Sequence, residues 1–159
     1  SSMYVFTDGA AKSNGRSSCV ASYGVFAPDL NVSKYNGKVL RDPSNQRGEL
    51  MGVQRALEIL MENDVHDAVI VTDSLYAIKC LTTWSSNWKR NGWKTAKGDP
   101  VKHSDLIQSS LEILQSNPAI RLQHIRSHQP RPVEAQERYL WQGNRTADEL
   151  ATLAIAGHG

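Results

Sequence analysis

Short runs of β-branched and aromatic residues alternate along this chain with longer stretches whose apolar positions recur every three or four residues. Met3 to Thr7 (MYVFT) reads as a buried strand, and a polar turn over Lys12 to Ser18 follows with Asn14-Gly15 inside it. Cys19 to Ala27 and Val32 to Leu40 read as two further strands parted by Pro28-Asp29, so the opening segment predicts a three-stranded antiparallel meander. Ser44 is placed to cap a helix over Gln46 to Glu62, with Leu50, Val53, Leu57, Leu60 and Met61 as its apolar stripe. Ala68 to Thr72 is the next strand and Ser74 to Thr82 a short helix. Ser104 to Gln115 is another helix, Ile120 to Ile125 a fifth strand, and Thr146 to Ala156 a final helix. Three early strands, then two more alternating with helices, predict an α/β fold with a five-stranded mixed sheet flanked by helices.

Two of these strands close on Thr-Asp, at Asp8 and at Asp73. A buried carboxylate without a partner costs on the order of several kcal/mol, so both need one. Strand ends in open α/β sheets are ligand-binding positions, and the two aspartates share a site if their strands are neighbours. Glu49 lies in the first turns of the long helix; at about 100° per residue, Val53, Ala56 and Leu60 fall on its side, so it points toward the core. A Glu there could simply stabilise the helix N-terminus. Asp148 sits at the edge of an apolar arc of Ala147, Leu150, Ala151 and Ala154, with Glu149 farther toward solvent. Alone, Asp148 reads as a surface acid of a first turn. Four carboxylates aimed at one locus, however, cannot all stay ionised without cations. Oxygen-only ligands favour hard ions, and Mg²⁺ retains waters that can act as nucleophiles.

The 159 residues suffice for one domain with its own core, and the net charge of +2 is unevenly spread. Residues 84–102 carry Lys89, Arg90, Lys94, Lys97 and Lys102 against Asp99, a local balance of +4, which leaves −2 for the rest. Such segregation points to a local contact with a polyanion. Cys19 and Cys80 have no metal-ligand spacing and make no disulfide framework, which suits a reducing, intracellular setting. No apolar stretch has the length of a membrane helix, and no signal peptide is visible. Ser1 and Ser2 ahead of Met3 read as a vector-derived scar, and residues 4–159 as a single catalytic domain.

FTDGA around Asp8, NQRGEL around Glu49, VTDS around Asp73 and GNRTADELA around Asp148, in that order, resemble the type 1 ribonuclease H family. WSSNWKRNGWK resembles the basic protrusion of its cellular, eukaryotic-like members. The resemblance spans Tyr4 to about Ala156 and implies the RNase H-like fold, with three antiparallel strands followed by two parallel ones. It implies an endonuclease that hydrolyses the RNA strand of RNA–DNA hybrids and leaves 5′-phosphate and 3′-hydroxyl ends. Asp8, Glu49, Asp73 and Asp148 would hold two Mg²⁺ ions, with Mn²⁺ able to substitute, and no organic cofactor is implied. As a domain it would act as a monomer.

Asn14, Asn45 and Gln46 match the family positions that read the RNA 2′-hydroxyl, the group that separates RNA from DNA. The same residues also suit turn formation and helix entry, and the roles can coexist. Trp84 and Trp88 match the channel that holds the DNA strand, and Lys89, Arg90 and Lys94 suit phosphate contacts. Trp93 could serve the core or that surface. Ser44 matches a phosphate anchor, while VKHSD puts His103 where relatives carry Asn. His128 matches the family's mobile loop histidine, a proton carrier; His124, within the fifth strand, is packed or edge-exposed. Fourteen residues, Gln129 to Gln142, separate His128 from the Gly143-Asn144 that opens the last helix in relatives. This inserted loop could contact substrate or cover the sheet. A DNA nuclease on the same fold is disfavoured by the 2′-hydroxyl readers, and a silent hybrid-binding module by the intact acid set.

Overall fold

Val5 and Phe6, consecutive and fully buried, face opposite sides of one strand, which puts β1 (Met3–Lys12) in the middle of the sheet with a core on each side. In this computed structural model residues 2–156 are described; Ser1 of the expected scar and residues 157–159 of the expected domain lie outside them. The sheet has the order β3-β2-β1-β4-β5, formed by β2 (Val20–Phe26), β3 (Lys34–Lys38), β4 (Ala68–Thr72) and β5 (Ile120–His124). The β1–β2 and β2–β3 pairs are antiparallel, and β1–β4 and β4–β5 are parallel, the mixed sheet that the pattern of elements predicts.

On one face lie α1 (Asn45–Glu62), α2 (Leu75–Leu81) and α4 (Ser104–Ser116), around a core that includes Val5, Leu50, Leu57, Leu60, Ile70 and Ile107. Between α2 and α4 comes the short α3 (Ser85–Arg90), in the Trp-rich basic stretch. The long α5 (Ala135–Ile155) covers the other face, packing Ala147 over Phe6, Val69, Val71 and Ile125. Burying both faces of β4, whose five residues are all buried, requires an unbroken apolar run, and AVIVT supplies it. Among the described residues no helix is long and apolar enough to cross a membrane.

Three elements depart from the sequence expectation. β1 does not end at Asp8 but continues to Lys12, because β2 goes on pairing with it through Asp8↔Gly24 to Lys12↔Val20. β3 is confined to Lys34–Lys38, and the expected flanks Val32 and Leu40 are 60% and 90% exposed. The largest correction concerns Gln129 to Gln142, expected as an inserted loop ahead of a helix from Thr146. From Ala135 onward this segment is the start of α5, and Gly143-Asn144 lies inside the helix. Glu134 caps it, its carboxylate accepting from the N–H groups of Gln136 (3.0 Å) and Glu137 (2.8 Å). Gly143 is there for close approach: a Cβ at that position would run into the ring of Phe6.

Candidate active site

The ladder between β1 and β4 stops at Thr7↔Thr72, where β4 ends and the chain turns into α2. β1 runs on with β2 alone. Where the parallel neighbour gives out, the Gly9 N–H donates to two carboxylates, Asp8 Oδ1 (2.9 Å) and Glu49 Oε1 (2.7 Å). Helix α1 comes close enough for this because residue 9 lacks a side chain: a Cβ there would lie 2.5 Å from the Glu49 nitrogen. Asp73 follows the last residue of β4, and the next residue, Ser74, caps α2 by accepting from the Ala77 N–H at 3.0 Å.

Asp8, Glu49 and Asp73 each offer an oxygen, all within 4.8 Å of one another. Asp148 is exposed, on α5, and stands outside that trio. It still contributes, after burial, to raising the Asp73 pKa by charge repulsion, and it adds to the groups that raise Asp8. The structure thus gathers three of the four expected acids into a knot and puts the fourth at its rim.

Burial pushes the Asp8 carboxyl far above the carboxylate range, and the charges of Glu49 and Asp73 add to this. Glu49 is raised too, mainly by burial and despite the favourable Gly9 N–H, and Asp73 also mainly by burial. Glu49 Oε2 is buried with no partner among the described residues. An all-oxygen set, crowded, desolvated and short of donors, fits hard divalent cations.

These acids line a cleft of about 570 Å³ that also takes in Asn45, His128 and Gln129. His128 is exposed, in a left-handed backbone conformation (φ 54°). His124, the last residue of β5, is exposed rather than packed, and both imidazoles lower the Asp73 pKa. The sequence reading missed Asn144, Trp141 and Arg145, which line the same cleft from α5. Asn144 is 8% exposed and its Oδ1 has no partner among the described residues. Spacings of four and seven residues before Asp148 put Asn144 and Trp141 on that residue's side of a helix. Recognising this needed the helix to start early enough.

A second cavity, about 560 Å³, adjoins the start of α1 and is lined by Arg16, Ser44, Gln46, Lys102 and His103, among others. Asn14 lies in a turn closed by the Arg16 N–H donating to Ser13 O at 3.0 Å, and its Oδ1 accepts from the Asn45 N–H at 3.0 Å, which ties that turn to the start of α1. Ser44 is the N-cap, accepting from the Arg47 N–H at 3.0 Å. His103 takes a left-handed backbone (φ 62°) before α4, and its Nδ1 lies 3.1 Å from Arg47 Nη1. Because a guanidinium only donates, Nδ1 accepts, and the neutral ring then carries its hydrogen on Nε2. Burial, then the Arg47 charge, lowers the His103 pKa and keeps the ring neutral. Arg47, itself buried, also pairs with Asp105 at 2.5 Å.

In the basic stretch, Trp84, Trp88 and Trp93 form a chain with ring centroids 5.8 and 6.3 Å apart. Trp88 and Trp93 are partly buried against the main core, while Trp84 is 36% exposed, and Lys89, Arg90 and Lys94 are exposed.

The acids meet where the β1–β4 ladder stops, between two helical layers, in an arrangement that could hold metal ions, and comparison with known proteins places the chain. The RNase H family profile matches residues 1–156. The chain is 35% identical over 154 residues to the ribonuclease H of Pseudomonas syringae pv. syringae (strain B728a), covering 97% of this chain and 92% of that one. It also resembles the solution structure of the PFV RNase H domain, with TM-score 0.73, 26% identity, and 96% and 93% of the two chains covered. The fold recurs in the foamy viral protease–reverse transcriptase solved with an RNA/DNA hybrid, with TM-score 0.72 and 23% identity over 98% of this chain and 20% of that one. The chain belongs to the RNase H family. It is therefore an enzyme, a nuclease of the hydrolase class.

Proposed function

We propose that this chain is an endonuclease that cuts the RNA strand of RNA–DNA hybrids and leaves 5′-phosphate and 3′-hydroxyl ends. The observation that carries the reading is the convergence of Asp8, Glu49 and Asp73 within 4.8 Å in an open cleft, with Asp148 at its rim. Those four side chains would hold two Mg²⁺ ions, which supply an activated water and charge stabilisation at the scissile phosphate. Mn²⁺ fits the same oxygen donors.

The other residues bind and orient. Asn14, Asn45 and Gln46 lie together at the start of α1, with donors and acceptors suited to 2′-hydroxyls. Ser44 and His103 line the neighbouring cavity, where a hydroxyl and a neutral Nε2–H can donate to a DNA phosphate. Trp84 offers a stacking face, with Trp88 behind it, and Lys89, Arg90 and Lys94 supply positive charge along the same strand. His128, on its loop over the cleft, exchanges a proton with the departing 3′-oxygen. Two buried free thiols, Cys19 and Cys80, suit an intracellular setting.

Incubation with a labelled RNA–DNA hybrid, an RNA duplex and a DNA duplex, each with Mg²⁺ or EDTA, tests the reading. Only the hybrid should be cut, in its RNA strand, and EDTA should stop the reaction. Equal cutting of the DNA duplex would overturn the substrate assignment.

A further inference from the structure

The loop that carries His128 has few attachments. Its start is fixed where the Ile125 N–H donates to Thr72 O (3.0 Å), and its end where Arg138 Nη1 donates to Val133 O (2.7 Å). Between those points, among the described residues, a single hydrogen bond ties it to the rest of the fold. That bond runs from Trp141 Nε1 to the backbone carbonyl of Gln129, the residue after His128, at 2.9 Å. His128 holds a left-handed backbone conformation (φ 54°), which a residue with a Cβ keeps only when its surroundings impose it.

Trp141 is itself well held. It is partly buried on α5, and the guanidinium of Arg145, one turn on, lies over its ring at 4.9 Å. Arg145 in turn pairs with Glu149 at 3.9 Å. Trp141 lies two helical turns before Asp148, on the same cleft.

We propose that Trp141 is a positioning residue, whose indole N–H latches the His128 loop to α5 and so sets the place of the imidazole relative to the acids. The inference rests on the proton-carrying role read for His128. It also gives a task to the segment Gln129–Gln142, whose helical half supplies the latch and whose other half is the latched loop.

Trp141→Phe is the discriminating variant, because it removes the N–H donor while keeping an aromatic ring beneath Arg145. Its kcat on the hybrid should fall about three- to tenfold, the scale of one neutral hydrogen bond, with KM unchanged. In a His128→Ala background, already slowed by about 10²-fold, the same change should have no further effect on kcat. Amide exchange over residues 126–134, measured without metal or substrate, should speed up by a similar three- to tenfold in Trp141→Phe. An equal fall in kcat with and without His128 would overturn the proposal, and so would unchanged exchange in the loop. A His128→Ala enzyme with normal turnover would overturn the reading of His128 instead, and exchange would then decide the latch alone.

Discussion

Asp8 is 5% exposed and has Glu49, Asp73 and Asp148 around it, so its ionised form suffers both lost hydration and like charge. Its carboxyl and that of Glu49, the latter pushed up to about 7, are raised in the folded chain. The folded state therefore binds more protons than the unfolded one between the ordinary carboxylate range and those raised values. Ion-free stability must fall as pH climbs through that window. Asp8→Asn keeps the shape and removes one charge. In EDTA at pH 8 it should melt about 3 °C or more above the parent, since one pKa unit of relieved repulsion is about 1.4 kcal/mol. With Mg²⁺ the same variant should lose about 10²–10³-fold in turnover on the hybrid. A lower melting point in EDTA would mean that Asp8 is not strained by its neighbours. At this scale Asp8, Glu49 and Asp73 were legible, because carboxylates at the ends of apolar runs or on an apolar helix face demand partners. Asn144 was not, since an Asn inside a helix has no signature until the helix is known to pass a cleft.

The turn between α1 and β4 is tied to the turn between α4 and β5 by a histidine that bonds on both nitrogens. His66 Nδ1 meets Asn117 Oδ1 at 2.7 Å and Nε2 meets Asp64 Oδ1 at 2.8 Å. The Asn117 amide nitrogen is committed to Ile113 O, at 2.8 Å, so its oxygen is the atom facing His66. Both partners are acceptors, and only the doubly protonated ring satisfies both. The His66 pKa is accordingly raised, first by Asn117 and then by Asp64. A raised folded-state value for a histidine means that the contribution is complete below its ordinary 6.5 and is lost as pH rises through the raised value. His66→Ala should therefore lower the melting temperature at pH 5.5 and make no difference at pH 9; an equal loss at both would show that the charge is immaterial. Among whole elements, α1, β4, α4 and β5 were legible to within a residue or two, because periodicity and burial agree in them. β1 beyond Asp8 was not: Ala10, Ala11 and Lys12 have little strand character and are extended because β2 pairs with them. The start of α5 was hidden by Pro130, Pro132 and a glycine that reads as a helix boundary but serves the packing of Phe6.

Across the whole molecule, positive charge is concentrated in residues 84–102, and the acids are gathered in the cleft between α1 and α5. On the proposed reading, a polyanion is attracted by the first and repelled by the second unless cations neutralise it, so binding and cutting should respond differently to ionic conditions. Replacing Lys89 and Arg90 together by Ala should reduce the slope of log affinity against log salt by up to about 2 for the hybrid, with little change in cutting rate at saturation. A titration between low and moderate KCl measures it, and an unchanged slope would place this stretch off the substrate path. The charge segregation was legible from composition. The division of labour among the tryptophans was not, because spacing alone does not say that Trp88 and Trp93 lean on the core while Trp84 reaches the surface.

Helix α5 runs without interruption from Ala135 through Trp141 to Asp148, and that continuity fixes rotational phase as well as distance. One residue added between Trp141 and Asp148 would turn everything beyond it by about 100° and swing either the acid or the indole out of the cleft. One residue added among Pro130 to Val133 would merely lengthen a connection, at little entropic cost. An added residue should therefore be tolerated among the few residues ahead of the Glu134 cap and be disruptive between Trp141 and Asp148.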